Sequence, residues 1–215
     1  QDVLRWAIKE FSPDISLACS FGMEDVVLVD MVSRIDPKAK IFYLNTDLLF
    51  PETYEVRDQL AQKYGLSFVE VRPTLSLQEQ AAQYGEALWS RDPNLCCDLR
   101  KVKPWRDYLS GLRAWTTGIR RDQAPTRANA KKVEWDNRFG LVKINPLVAW
   151  SWSQVVDYVR ENEVPYNVLH DRGYPSIGCA PCTKPVKEGE DPRAGRWAGF
   201  QKTECGLHEE GHDPK

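Results

Sequence analysis

The chain has 215 residues, and its 29 Lys and Arg against 31 Asp and Glu give a formal net charge of −2. This length suits one domain, or one domain with an appendage, and is enough chain to bury a core. The near-neutral balance excludes a protein that holds nucleic acid by bulk charge, although local basic clusters can still bind a small anion. No apolar run approaches the roughly 18–20 residues of a membrane-spanning helix. From the charge balance we therefore expect no nucleic-acid partner, and from the short apolar runs we expect no membrane partner.

The first six residues lack the basic start and apolar stretch of a secretory signal. This predicts a reducing cytoplasm as the location. The sequence leaves open whether the chain forms a homo-oligomer.

Short apolar runs alternate with helical patterns over the first two thirds of the chain. Residues 15–19 and 41–44 are predicted to be buried parallel strands, because they are rich in apolar and β-forming residues. A helix over 24–35 joins them as a crossover, and a helix over 51–64 leads to a third strand at 67–71. Further along, the sequence predicts a helix over 97–109, strands at 114–117 and 141–144, and a helix that begins at Ser151.

The alternation of strands and helices predicts an α/β fold with a doubly wound, mostly parallel sheet. This pattern ends near residue 165, and residues 166–215 are rich in Gly, Pro, Cys and charge without strand or helix periodicity. We therefore divide the chain into an α/β part, 1–165, and an irregular C-terminal segment, 166–215. Something other than a hydrophobic core has to fasten that segment.

Four cysteines predict a metal site that joins the two parts. Cys96 and Cys97 are adjacent near the start of a predicted helix, and Cys179 and Cys182 form a Cys-x-x-Cys pair in the irregular segment. In a cytosolic chain such a set is more typical of metal binding than of disulfides. A structural zinc ion is one interpretation. Adjacent residues do not easily place both sulfurs on one small ion, so a cubane iron–sulfur cluster is slightly favoured, and both remain open.

Cys205 is a candidate nucleophile close to the end of the chain. It lies outside any apolar segment, between Lys202 and His208, and Gly206 loosens the backbone beside it. Positive charge near a thiol favours the reactive thiolate. An inert exposed thiol is the alternative. Cys19, which lies in an apolar strand pattern, is expected to belong to the core.

Several segments predict a site for an anion at one edge of the sheet. Ser20 and Gly22 lie between the first strand and its helix, where backbone N–H groups and the helix dipole favour an anion. Ligands of open parallel sheets bind at the carboxyl ends of the strands, where residues 45–47 and 117–127 would also lie. The segment 117–127 carries Arg120, Arg121 and Arg127, and arginine is suited to bidentate binding of phosphate or sulfate. Lys101, Arg193 and Arg196 add further cations.

Four separated segments resemble, in the same order, those of assimilatory adenylylsulfate (APS) reductases of the iron–sulfur type. They are Cys96-Cys97, TGIRRD at 117–122, YPSIGCAPC at 174–182 and KTECGLH at 202–208. The resemblance covers nearly the whole chain. It implies an adenine nucleotide α-hydrolase-like fold related to the pyrophosphatase-loop enzymes. It also implies that 1–165 binds the nucleotide and that 166–215, in the same structural domain, carries the catalytic cysteine.

The resemblance further implies a cofactor, a substrate and a mechanism. A 4Fe-4S cluster would be bound by Cys96, Cys97, Cys179 and Cys182, and would support the electrostatics of the site rather than carry electrons. Cys205 would attack the sulfur of APS, expelling AMP and leaving a cysteine S-sulfonate, from which thioredoxin would release sulfite. The residues assigned to substrate binding are Ser20, Gly22, Lys101, Gly118, Arg127, Arg193, Arg196 and His208.

The chain departs from the family pattern at two places, and two other functions stay open. Phe21 replaces a frequent Ser, and Asn45-Thr46-Asp47 replaces the usual Asp-Thr-Gly. A phosphoadenylylsulfate (PAPS) reductase or a dual-specificity enzyme is the second interpretation, although the four cysteines favour APS because the PAPS-only branch generally lacks them. A zinc-clipped nucleotide-binding or adenylating protein is the third interpretation, and it leaves Cys205 without a role.

Overall fold

The computed structural model describes residues 1–207 of the chain. Its helices are α1 (Asp2–Phe11), α2 (Met23–Ile35), α3 (Pro51–Tyr64), α4 (Leu77–Tyr84), α5 (Pro93–Cys97), α6 (Lys103–Leu109) and α7 (Trp152–Glu161). Its strands are β1 (Ile15–Ala18), β2 (Lys40–Leu44), β3 (Val69–Val71), β4 (Ala114–Thr116), β5 (Val133–Asp136) and β6 (Leu141–Ile144). No helix in the described part of the chain is long and apolar enough to cross a bilayer.

The strands form one sheet in the order β3-β2-β1-β4-β6-β5. All neighbouring pairs are parallel except β5 with β6, which form an antiparallel hairpin at one edge. The strand order reverses between β1 and β4, which begin the two halves of the sheet. This confirms the predicted α/β fold with a mostly parallel sheet, and it places the switch point where ligands of such sheets bind.

The sheet is covered on both faces, as a doubly wound fold requires. Leu17 and Ile41 point to one face, where they pack with residues of α2, α3 and α7. Their neighbours Ala18 and Phe42 point to the other face and pack with α6 and the C-terminal segment. Successive side chains of a strand alternate between faces, so each buried strand contributes to two cores.

Most predicted elements are found, with shifted ends. The bounds of α3 agree with the helix predicted over 51–64. Pro51 occupies its first turn, and Gly65 ends it in the left-handed conformation at φ 64°. Ser151 caps α7 in a reciprocal capping box with Gln154. The predicted helix start at 97 is wrong: helical structure begins at Pro93, capped by the Asp92 side chain, and passes through a π turn, Asp98–Val102, into α6.

Three elements, α1, α4 and β5, were not predicted from the sequence, and β3 begins two residues later than predicted. The prediction that regular structure ends near residue 165 is confirmed for the described residues, which beyond α7 contain only short 3₁₀ turns and isolated β-bridges. The segment is joined to the loop after β2 by a backbone bridge between Leu49 and Cys179, and it packs on the core of the sheet through Leu207, beside Val102 and Trp115. The division at 165 stays a prediction.

Candidate functional site

One cavity of about 650 Å³ opens at the carboxyl ends of β1 and β4. This volume suits a nucleotide-sized ligand, because small-molecule sites usually measure ~300–1,000 Å³. The sequence-predicted residues that line it are Ser20, Gly22, Lys101, Gly118, Arg127, Arg193, Arg196 and Cys205. Segments that are distant in the chain thus meet at one site. His208 lies outside the described residues.

The loop between β1 and α2 is closed by a buried carboxylate. The backbone N–H and the hydroxyl of Ser20 both donate to Asp25 Oδ2 at 2.6 Å. Burial raises the pKa of Asp25 to about 6, and the two bonds from Ser20 partly offset that effect. A side chain at Gly118 would collide with the Asp25 carboxylate. The second residue of the TGIRRD segment therefore has to be glycine for the two loops to meet.

Phe21, the first departure from the family pattern, has a structural role. Its backbone is left-handed at φ 61°, which turns the loop toward Gly22 and the N-terminus of α2. The ring is buried and makes edge contacts with Tyr43 and Phe68. Since a non-glycine residue is strained in this conformation, packing of the ring has to stabilise it.

The segment after β2 reaches the cavity through Thr46 rather than as a whole. The side-chain amide of Asn45 donates to Glu70, and Asp47 accepts from the buried Arg100 at 2.6 Å. Arg100 also donates to the carbonyl of Thr46 at 2.7 Å. The expectation that all of residues 45–47 face the cavity is therefore wrong for Asn45 and Asp47, whose side chains support the loop from behind.

Arg193 and Arg196 leave buried donors at the cavity wall. In each side chain, Nε is buried and has no hydrogen-bond partner among the described residues. Arg196 Nη1 donates to Ser176 Oγ at 3.1 Å, and its guanidinium lies 4.5 Å from the centre of the Trp197 ring. A charged donor that is buried without an acceptor is costly, so these nitrogens favour an anion in the cavity.

Arg127 has a different set of partners. Its Nε and Nη2 donate to the two carboxylate oxygens of Glu204, each at 3.0 Å, and its Nη1 donates to Gln123 Oε1 at 2.6 Å. Arg193 Nη2 donates to the same carboxylate at 3.0 Å. Glu204 is 1% exposed. The residue before the candidate nucleophile thus joins two of the predicted anion-binding arginines.

Sequence reasoning missed several residues that line the cavity. Glu204 appeared only as part of a motif, and Glu24 and His170 carried no signal. Burial lowers the pKa of His170. Of the arginines in TGIRRD, Arg120 lines the cavity and pairs with Glu24 at 2.9 Å, whereas Arg121 is exposed and donates to a loop carbonyl outside it. The expectation that Arg121 reaches the site is therefore wrong.

A second, small cavity beside the first is lined by all four cysteines of the predicted metal site, Cys96, Cys97, Cys179 and Cys182. Burial raises the pKa of Cys96 to about 12 and that of Cys182 to about 11, and the neighbouring thiols add to the shift. The hydroxyl of Thr46 lies 3.3 Å from the Cys179 sulfur. The fold thus gathers two pairs of thiols from distant parts of the chain.

Lys101 and Trp197 line both cavities and form the wall between them. Burial by itself lowers the pKa of Lys101, but the negative charge of the surrounding cysteines when they are thiolates, Cys179, Cys97 and Cys205 among them, outweighs it and holds that pKa above its usual value. Lys202, expected to activate Cys205, instead donates to Asn94 in α5 at 2.6 Å and lies over Trp197. Lys101 is therefore a cation that acts on both the cysteine set and the candidate nucleophile.

The chemistry of the donor set fits an iron–sulfur cluster. Among the described residues, no three histidine, cysteine or carboxylate side chains converge closely enough to hold one metal ion. Four thiols that line one cavity are nevertheless the donor set of a cubane, which takes one thiolate at each iron. Arg100 and Lys101, which line the same cavity, would balance the negative charge of such a centre.

Comparison with known proteins places these features in a family. Residues 14–185 match the model of the phosphoadenosine phosphosulfate reductase domain. The chain belongs to the phosphoadenosine phosphosulfate reductase family. An adenosine 5′-phosphosulfate reductase of Geobacillus kaustophilus is 52% identical over 96% of this chain and 88% of its own length. Adenosine 5′-phosphosulfate reductase 2 of Bacillus subtilis is 50% identical over 97% of this chain and 89% of its own.

Solved structures agree with this assignment. A phosphoadenylyl-sulfate reductase from Candida auris, crystallised as a phosphate complex, has a TM-score of 0.76 at 34% identity and covers 86% of this chain and 89% of that one. FMN adenylyltransferase of Candida glabrata, at 16% identity and a TM-score of 0.60, covers 86% of this chain and 62% of that one and shares the fold. Together with the relatives named above, they confirm the resemblance to adenylylsulfate reductases seen in the sequence.

We predict that Arg196→Ala weakens binding of adenosine 5′-phosphosulfate about 10–100-fold. A hydrogen bond to a charged group contributes about 1.5–3 kcal/mol, and about 1.4 kcal/mol corresponds to a factor of ten. Calorimetric titration in a Cys205→Ser background, where no reaction follows binding, measures the effect. Arg121→Ala is the matched control and should bind as the background does. Equal affinities of the two arginine variants would contradict the assignment of Arg196 to the anion site.

Proposed function

We propose that this chain is a thioredoxin-dependent adenylylsulfate reductase of sulfate assimilation. It would convert APS to sulfite and AMP through an S-sulfonate on Cys205. The names of the relatives support the substrate, since proteins about half identical over nearly the whole chain are adenosine 5′-phosphosulfate reductases. The observation that carries the proposal is the meeting of Cys205 with the unpartnered guanidinium nitrogens of Arg193 and Arg196 in one nucleotide-sized cavity.

The first step is a displacement at sulfur. The Cys205 thiolate forms a bond to the sulfur of the sulfonyl group, and the bond between that sulfur and the bridging oxygen breaks, so that AMP leaves with the electron pair. Arg193 and Arg196 would hold the phosphosulfate oxygens, where negative charge shifts toward the departing phosphate. Lys101 would offer a further cation beside the reacting sulfur, because it lies between the two cavities.

The second step needs a dithiol, which thioredoxin supplies. One thioredoxin thiolate attacks the Cys205 sulfur and expels sulfite, forming a mixed disulfide. The second thioredoxin thiol attacks the thioredoxin sulfur of that disulfide and frees Cys205. The dithiol is oxidised to a disulfide, and sulfate is reduced to sulfite by the same two electrons. Cys205 is half-buried, so its sulfur has to become accessible for this exchange.

We assign the cofactor and the location as part of the same proposal. Cys96, Cys97, Cys179 and Cys182 would hold a 4Fe-4S cluster. When bound, it would tie α5 to the C-terminal segment and set the electrostatics of the neighbouring anion site. All six cysteines are free thiols in the structure, which accords with a reducing cytoplasm.

PAPS is the second candidate substrate. The matched family model and the Candida auris structure carry its name. The two substrates differ only in a 3′-phosphate. Comparison of the two nucleotides therefore belongs in the first experiment.

We predict that anaerobic protein incubated with APS, without thioredoxin, gains the mass of a sulfonate on the peptide that contains Cys205. Reduced thioredoxin should remove the adduct and release sulfite. Cys205→Ser should form no adduct while still binding AMP, and Arg121→Ala, which changes an exposed residue outside the cavity, should react as the wild type does. Intact mass and peptide mapping give the measurement.

The same incubation with PAPS identifies the preferred nucleotide. Faster adduct formation with PAPS would replace the proposed substrate by the second candidate. Absence of an adduct with either nucleotide, in protein that retains its cluster, would falsify the reductase mechanism.

We predict that anaerobically purified protein is brown and contains iron and sulfide in the proportion of one 4Fe-4S cluster per chain. Cys96→Ala should lose both, because one iron would lack its thiolate. Cys19→Ala is the control and should keep them. Metal analysis and visible absorption decide between the alternatives, since a colourless protein with stoichiometric zinc would contradict the cluster.

We predict that Lys101→Ala lowers turnover by a factor on the order of 10², the usual effect of removing one donor that stabilises transition-state charge. The midpoint of thermal unfolding and the iron content should change little. Lys103→Ala, which removes an exposed lysine two residues further on, is the control and should keep full turnover. Losses of turnover and stability in parallel would make Lys101 a structural residue.

A further inference from the structure

Glu204 is a buried carboxylate for which neither the sequence resemblance nor the proposed chemistry has a role. It accepts hydrogen bonds from three side chains, Thr126, Arg127 and Arg193, at 3.0–3.3 Å. Two of these donors lie on the loop after β4, and the third lies near the end of the chain. Since Glu204 directly precedes Cys205, contacts that hold its carboxylate also restrict the position of the backbone at the nucleophile.

The contacts of Arg127 identify it as the anchor of this arrangement. Both oxygens of Glu204 accept from its guanidinium in a bidentate pair, and Gln123 Oε1 accepts from its Nη1. Bidentate pairs of this kind are geometrically specific as well as strong. Arg127 is thus held by protein partners on every donating nitrogen, and its orientation depends on whether the C-terminal segment is docked.

Arg193 has the complementary role. Its Nη2 is shared between Glu204 and the carbonyl of Thr203, at 3.0 and 2.7 Å. Its Nε is left buried without a partner at the cavity, among the residues that the structure describes. Two guanidiniums against one carboxylate leave a net positive charge, so Glu204 reduces the repulsion between the arginines without cancelling their attraction for an anion.

We propose that Glu204 is a positioning residue that couples docking of the C-terminal segment to assembly of the anion site. Through Arg127 it fixes Cys205 against the loop after β4, and through Arg193 it directs a free donor at the bound sulfonucleotide. The inference rests on the proposed function. A chain whose segment is undocked would lack both the nucleophile and an oriented Arg193.

The experiment compares Glu204→Gln with the wild type in two measurements. The amide keeps the size of the side chain, but its NH₂ group faces an arginine donor and cannot complete the bidentate pair. At saturating APS and without thioredoxin, we expect the rate of Cys205 sulfonation to fall at least tenfold. Hydrogen exchange of the peptide that covers 198–207 should become faster, whereas cluster content should stay unchanged.

Three further variants separate positioning from other roles. Glu204→Asp keeps the charge and should recover part of the rate. In an Arg127→Ala background, Glu204→Gln should cost less than it does in the wild type, because its contact with Arg127 is already lost and only that with Arg193 remains. Glu134→Gln removes an ion-paired carboxylate on β5, outside the cavity lining, and should leave both measurements unchanged.

The outcomes are distinct. A slower sulfonation that is non-additive with Arg127→Ala supports the proposal. An unchanged rate, or a loss that is fully additive with Arg127→Ala, overturns it. Faster sulfonation or tighter APS binding also overturns it, since Glu204 would then compete with the substrate for the arginines. If the wild type itself forms no adduct, the proposed function fails, and the role of Glu204 fails with it.

Discussion

The C-terminal segment has, in its described part, no strand or helix long enough to pack by itself, and the site depends on how it is attached to the sheet. Regular elements form a core through a repeated apolar face, which this segment lacks. It is held instead by separate contacts: the Leu49–Cys179 bridge, the Leu207 side chain, and the Glu204 ion pairs. The bridge involves a cysteine of the predicted metal site, and Leu207 and Glu204 lie within two residues of Cys205, so the contacts that attach the segment lie beside its functional groups.

Charge explains why the site can bind an anion in a protein with a formal net charge of −2. The cations are concentrated where the carboxyl ends of the parallel strands meet, and Glu204 offsets only part of their charge. The buried guanidiniums of Arg193 and Arg196, whose Nε atoms lack acceptors among the described residues, attract an anion more strongly than exposed ones, because water screens them less. Arg121, on the loop after β4, is exposed, so water screens its charge.

Helices and strands with local sequence signals could be predicted from the sequence, whereas those that depend on tertiary contacts could not. The same distinction holds for the residues of the site. Pro51 and Gly65 mark both ends of α3, whereas the pairing of β5 with β6 is not visible in its own four residues. Cysteine spacing and charged neighbours have chemical meaning before the fold is known, so Cys205 could be identified from the sequence as a candidate nucleophile. Burial of a carboxylate has no such signal: Glu204 resembles an ordinary surface glutamate until the fold brings two arginines to it.

Lys101 and Trp197 connect the two cavities and make their chemistry interdependent. Lys101 lies within the field of the Cys179 and Cys205 thiols, so a change of charge in the cysteine set alters the cation that faces the anion site. Trp197 is buried, and the guanidinium of Arg196 and the ammonium of Lys202 both contact its ring. In the proposed function, a cluster on the four cysteines would therefore act on the anion site through the charge of Lys101 and the position of this wall.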